Sequence, residues 1–397
     1  MPFATTDSGV RLFWRLDGAV EKPTLVLLNS IGTDMAAWDR TLPYVLPHFR
    51  VLRIDNRGHG ASDAPQGDYT LDLLAADTLA VMDAAGVGSA AICGVSLGGM
   101  VGMTLALAAP ERVTALVPAC TSAAMDVAAW TARVELVRNS GMAGVVDIAM
   151  SRFLTDGFRR QRPEIAETLR TSLLMMNPAG YAGCAAAIRD MDLLSKLPRL
   201  TVPTLVVGGT HDVSTPFEGH GDRIAAAIPG ARSAMVEGPH LPMVETPAAF
   251  AGVVVGFLHD LAAGGAVKSA AETLYDAGML NRRAVLGDAW VDRSLAKRTE
   301  FNSDFQAMIT RIAWQEIWGR PGLDHRTRRL LVLAICASLG RWEEFRLHVK
   351  AGLAQGGFTR DELKEVLMQT AIYAGVPAAN TGFSEAAEVM AEMEKDA

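Results

Sequence analysis

Residues 90–109, Ala90-Ala-Ile-Cys-Gly94-Val-Ser96-Leu-Gly98-Gly-Met-Val-Gly-Met-Thr-Leu-Ala-Leu-Ala-Ala109, decide the fold. Ala90 to Cys93 reads as a short buried strand and Met100 to Ala109 as a helix. Between them stands G-x-S-x-G, which in a strand–turn–helix setting is a nucleophile elbow. The turn is too tight for side chains at Gly94 and Gly98, so Ser96 is pushed out at the top of the sheet.

Three more short apolar runs resemble the Ala90 strand: Thr24 to Leu28, Val51 to Ile54 and Thr204 to Val207. Each ends at a turn signal, and helical stretches separate them. This pattern predicts an α/β fold with a parallel sheet covered on both faces. From about 121 to 198 the strands stop and Met- and Ala-rich helical periodicity takes over, which predicts a helical cap inserted in a first domain spanning 1–262. Small residues around Gly264-Gly265 predict a flexible linker over 263–270. The remainder, 271–397, has no strand run and predicts a separate all-α module. Phe305 to Trp318, Arg328 to Leu339 and Glu343 to Leu353 read as helices there, and Thr359 with Glu362 three residues on reads as a capping box.

Composition narrows the functional classes. The 397 residues are half apolar and 20% charged, with a net charge of -7, which argues against a general affinity for nucleic acid. No C-x-x-C occurs, so neither a zinc clasp nor a dithiol centre is readable. Four cysteines in so long a chain suit a reducing, cytoplasmic compartment. No apolar run reaches about 18 residues, so no membrane span is expected.

A serine nucleophile needs a base and an orienting acid, in chain order Ser, acid, His behind an elbow of this kind. His240, in Gly238-Pro-His-Leu, is the candidate base, and Asp212, after the Thr204 strand, the candidate orienter. His211 reads as facing outward, and His59, in Arg57-Gly-His-Gly, as structural. The expected oxyanion donors are the backbone N–H groups of Leu97 and of Ile31 in the turn after Leu28. In the second module, Glu344 and His348 are four apart and share a helix face, with Arg341 seven residues before His348. An acid/base beside a carboxylate fits this spacing, and so does a surface ion-pair face.

Leu28-Asn-Ser-Ile-Gly-Thr33, Asp55-Asn-Arg-Gly-His-Gly-Ala-Ser62, Gly94-Val-Ser-Leu-Gly-Gly-Met100 and Gly238-Pro-His-Leu241 resemble the 3-oxoadipate enol-lactonases, a branch of the α/β-hydrolases. Trp130-Thr-Ala-Arg-Val134 in the cap adds to the likeness. The resemblance implies that Ser96 attacks an enol-lactone and that the cap holds the substrate carboxylate. Arg133 is the expected clamp and Arg138 a weaker candidate, since guanidinium matches carboxylate bidentately. A solvated helix charge is the competing reading of Arg133.

Arg282-Arg-Ala-Val-Leu-Gly-Asp-Ala289, Trp318-Gly-Arg-Pro-Gly-Leu323, Glu344-x-x-x-His348 and Ile372-Tyr-Ala-Gly-Val-Pro-Ala-Ala-Asn380 resemble the 4-carboxymuconolactone decarboxylases. That resemblance implies chemistry without cofactor or metal, with His348 as proton donor, Glu344 as its orienter, Arg328 as an anion clamp and Arg341 near the substrate. Trp290 departs from the pattern, because relatives often carry His there. Relatives form rings, so homo-oligomerisation through this module is expected. The two resemblances imply consecutive steps on small carboxylated lactones. The rival expectation is another hydrolase, an esterase or cofactor-free haloperoxidase, fused to a helical oligomerisation module.

Overall fold

The computed structural model describes residues 3–395 and divides into two compact units, the first ending at Leu261 and the second beginning at Ala262. In the first unit, strands β1 (Phe3–Thr5), β2 (Arg11–Asp17), β3 (Thr24–Leu28), β4 (Arg50–Ile54), β5 (Ala90–Val95), β6 (Val113–Ala119), β7 (Leu205–Gly209) and β8 (Arg232–Val236) form one sheet, in the order β1-β2-β4-β3-β5-β6-β7-β8. β2 pairs antiparallel with β1 and β4, and the rest are parallel. The central strands β3 and β5 are almost wholly buried, as continuous apolar runs must be when helices cover both faces.

Four strands lie where the apolar runs predict them, and β1, β2, β6 and β8 are additions. β2, Arg-Leu-Phe-Trp-Arg-Leu-Asp, is charged along one side, and β6 carries Pro118, which ordinarily argues against a strand. β8 is an edge strand exposed over most of its length.

Five cap helices, Val127–Ser140, Val146–Phe153, Asp156–Gln161, Pro163–Met175 and Pro178–Arg189, fill the interval between β6 and β7. The last of them docks on the sheet domain through glycines. A Cβ on Gly183 would lie 2.8 Å from the Tyr69 ring, and Tyr69 N–H donates to Gly183 O at 3.1 Å.

The second unit is helical. After the end of the helix Pro247–Leu286 come Asp288–Ala296, Glu300–Ile309, a π-helical segment Thr310–Ile317, His325–Leu339, Trp342–Ala354, Arg360–Tyr373 and Val376–Lys395. The capping box at Thr359 and Glu362 is formed in both directions. Leu333, Phe345, Val349, Leu363 and Leu367 form one core, and Val285, Val291, Trp314, Trp318 and Ala351 another.

The expected flexible linker is corrected: residues 263–270 are helical, inside Pro247–Leu286, and exposed. Alanine at 263, 266 and 270 favours helix, and buried side chains anchor the helix at both ends; together these outweigh the roughly 1 kcal/mol that each of Gly264 and Gly265 costs. By length and composition this helix is apolar enough to cross a membrane. Its Phe250, Val254 and Phe257 are buried in the first unit's core, and Val285 and Leu286 in the second's.

Candidate active sites

Ser96 sits at φ 56°, ψ -117°, between β5 and the helix Leu97–Ala108. Positive φ in a non-glycine residue is strain held by its surroundings, and it clusters at functional sites. The flanking glycines are obligatory: a Cβ on Gly94 would lie 2.1 Å from Gly98 O, and one on Gly98 2.2 Å from Leu28 O. Ser96 faces a cavity of about 330 Å³ that His240 and Ile31 also line.

His240 is buried, and its Nδ1 hydrogen-bonds the Asp212 carboxylate at 2.9 and 3.0 Å. Asp212 also accepts from Ser214 N–H at 2.8 Å, Thr215 N–H at 3.1 Å and Thr215 Oγ1 at 3.0 Å. Burial alone raises its pKa, but His240 and these N–H groups outweigh burial and bring it down to about 2. Asp212 is therefore ionised and holds a proton on His240 Nδ1, which leaves Nε2 as the acceptor. The Phe153 ring stacks on His240, 12° between planes. No hydrogen bond joins Ser96 Oγ to His240 among the described residues, and such contacts are often loose before substrate binds.

Leu97 opens its helix, so its N–H has no intrahelical acceptor. The Ile31 turn is braced by His59: Gly32 N–H donates to His59 Nε2 at 3.1 Å, and His59 Nδ1 lies 3.2 Å from Arg57 O. The ring thus carries its proton on Nδ1. Burial lowers its pKa to about 4, so it stays neutral in the structural role expected of it. His211 is exposed, and it is His240 that holds the Asp212 carboxylate.

Arg133 lines the cavity, together with two residues the sequence did not single out, Arg152 and Tyr181. Tyr181 is fully buried, and its Oη has no hydrogen-bond partner. Arg133 and Arg152 have no ion pair among the described residues. Arg138, by contrast, is bound to Asp68 on the surface.

In the helical unit, His348 is buried, lies parallel to the Trp318 ring (centroids 5.9 Å apart, planes 2° apart) and has an unpartnered Nδ1. Three expectations are corrected here. Glu344 is exposed and makes no hydrogen bond to His348 among the described residues, because it stands in the first turn of Trp342–Ala354, outside the buried part of the face it shares with His348. Burial and then Arg329 lower the His348 pKa to about 4, and Glu344 opposes them only weakly, so the free ring is a neutral imidazole. Arg328 is half-buried and is spent on the carbonyls of Leu323 and Arg320, at 3.1 Å each. The buried arginine of that run is Arg329, in phase with Leu333 and Cys336; this spacing was the available signal. Arg341 is exposed at the N-cap of the helix Trp342–Ala354, while His348 is buried. Trp290 lies under the Arg282 guanidinium, 5.6 Å from its carbon to the ring centroid.

The strained serine, the acid-bound histidine and the sheet order define the class: the chain belongs to the α/β hydrolase fold family over residues 23–247 and to the carboxymuconolactone decarboxylase family over residues 303–388. It is 35% identical over 246 residues to 3-oxoadipate enol-lactonase 2 of Acinetobacter baylyi, covering 62% of this chain and 92% of that one. It is 43% identical over 122 residues to 4-carboxymuconolactone decarboxylase of the same organism, covering 31% of this chain and 90% of that one. The crystal structure of the enol-lactonase from Burkholderia xenovorans superposes with a TM-score of 0.63 at 35% identity, covering 65% of this chain and all of that one. The chain is thus a fusion of an enol-lactonase-like hydrolase with a decarboxylase-like module.

Proposed function

We propose that this chain is a bifunctional enzyme of the β-ketoadipate pathway. The helical unit decarboxylates 4-carboxymuconolactone to 3-oxoadipate enol-lactone, and the hydrolase unit opens that lactone to 3-oxoadipate. The observation that carries this reading is the presence, in one chain, of relatives of two enzymes whose reactions are consecutive. Chain order is the reverse of reaction order. Fusion raises the local concentration of the intermediate.

In the hydrolase unit, Ser96 Oγ bonds to the lactone carbonyl as its proton passes to His240 Nε2. The oxyanion is met by the N–H groups of Leu97 and Ile31. The ring C–O bond then breaks, and the ring oxygen takes the proton from His240 as an enol that becomes a ketone. Water, deprotonated by His240, releases the acyl group from Ser96. Arg133, Arg152 and the unpartnered Tyr181 hydroxyl supply the donors for the substrate carboxylate.

In the helical unit, the bond to the departing carboxylate breaks and its electron pair spreads into the unsaturated lactone. One proton is then added at the ring carbon, with His348 as the group placed to deliver it. A bound dianion raises the basicity of this ring, opposing the lowering by burial and Arg329. We also assign homo-oligomerisation to this unit, where Phe301, Ile372 and Tyr373 stand exposed. Four free, buried cysteines accord with a cytoplasmic location.

The test is to give the whole chain 4-carboxymuconolactone and follow carbon dioxide and 3-oxoadipate together. Both should appear in equal amounts. Ester hydrolysis by the chain without either product supports the esterase reading instead.

A further inference from the structure

Four arginines of the described chain are buried: Arg53, Arg57, Arg282 and Arg329. The two in the hydrolase unit are neutralised. Arg53 pairs with Asp17 and Asp39, and Arg57 binds Asp77 through two hydrogen bonds at 2.8 and 2.6 Å. The two in the helical unit have no carboxylate partner among the described residues.

Arg282 reaches only neutral groups, Ser294 Oγ at 3.0 Å and Gln306 Oε1 at 3.4 Å, and its Nε and Nη1 are buried without partners. Arg329 reaches Gln355 Oε1 at 2.8 Å and Ala284 O at 3.4 Å, and its Nη1 is buried without a partner. The half-buried Arg283, next to Arg282 in the chain, pairs with both Asp288 and Asp292. A buried cation without a counter-charge is costly, and burial lowers the pKa of both groups. Both also belong to one neighbourhood. Arg282 covers Trp290, which packs against the Trp314–Trp318 core; His348 stacks on Trp318, and Arg329 acts electrostatically on His348.

We propose that Arg282 and Arg329 are the anion-binding pair of the helical unit, completed by a dicarboxylate ligand. This rests on the reading of the unit as a decarboxylase, whose substrate carries two carboxylates. The pair divides the work. A cation fixed on the departing carboxylate stabilises the ground state and slows its loss, because charge leaves that group in the transition state. Arg282 therefore holds the carboxylate that the product keeps. Arg329, beside His348, faces the charge that develops on the lactone next to the incoming proton.

The test uses the full chain with Arg282→Gln and Arg329→Gln, assayed for carbon dioxide release and, separately, for hydrolysis of supplied enol-lactone. Arg282→Gln should raise KM at least about tenfold with kcat nearly unchanged, the scale of one charge-assisted hydrogen bond. Arg329→Gln should lower kcat at least about tenfold. Enol-lactone hydrolysis should stay at the wild-type rate in both. Adipate, an unreactive dicarboxylate, should shift tryptophan emission saturably, and each Gln variant should remove part of that response. Decarboxylation constants within about twofold of wild type in both variants, or an adipate response unchanged by both, overturns the proposal. If a Gln variant does not fold, Arg→Lys at the same position carries the comparison, because lysine cannot reproduce the planar fork. Wild-type protein that binds adipate through these arginines yet releases no carbon dioxide removes the decarboxylase reading and keeps the anion site.

Discussion

Gly58 and Gly180 meet backbone to backbone: a Cβ on either would lie 2.3 Å from the Cα of the other. This contact presses the cap helix Pro178–Arg189 onto the turn that carries His59, and His59 in turn braces the Ile31 loop. The roof of the cavity and one expected oxyanion donor are thus tied through two residues without side chains.

Gly180→Ala should therefore destabilise the hydrolase unit by about 1–3 kcal/mol, the usual cost of forcing an extra carbon into a packed site. Urea denaturation measures this, and lactone hydrolysis should weaken with it. Gly157→Ala is the control. Its Cβ would meet only Thr155 Oγ1, at 3.8 Å, so stability should hold or rise.

The two activities should separate by mutation. Ser96→Ala should lower kcat for lactone hydrolysis by about 10⁶, the scale of losing such a nucleophile, while carbon dioxide release continues, so enol-lactone accumulates. His348→Ala should stop carbon dioxide release and spare hydrolysis of supplied enol-lactone. Loss of both activities in either folded variant contradicts two independent sites.

Asp212→Asn should lower kcat for lactone hydrolysis by about 10⁴, the scale seen when a triad histidine loses its anionic orienter and takes the wrong tautomer. Steady-state kinetics on enol-lactone decides this. A loss below tenfold argues that another group orients His240.

Acid should weaken both units through buried imidazoles. His59 and His348 titrate near 4 in the folded chain, below the ordinary value of 6.5. Between these limits the unfolded chain binds more protons, so stability falls as pH drops from about 6.5 toward 4, by up to about 3 kcal/mol per ring. Above pH 6.5 neither group contributes a slope. Urea midpoints against pH should flatten for His348→Gln, and an unaltered slope refutes the assignment.

The sheet centre, the elbow at Ser96 and the pairing of His240 with Asp212 were legible because they depend on local demands. The elbow needs glycine at 94 and 98, and β3 and β5 need continuous apolar runs. The helical unit was read less well, because spacing along a helix gives direction and not depth. Glu344 and His348 share a face, yet one is wet and the other buried. Arg328 and Arg329 differ only in phase, and the apolar positions 333 and 336 select the second. Arg152 and Tyr181 reach the cavity from separate cap helices, a convergence that no local pattern announces.

The helix Pro247–Leu286 starts among the hydrophobic side chains of one catalyst and finishes among those of the other, while residues 262–270 between them lie bare to water. Protein engineers who wish to part the two enzymes, or to splice in a tag, therefore have a window of nine positions. A cut upstream of Leu258 strips a wall from the hydrolase unit, and one downstream of Val285 strips the helical unit, whereas a break inside the window leaves each its own complete interior.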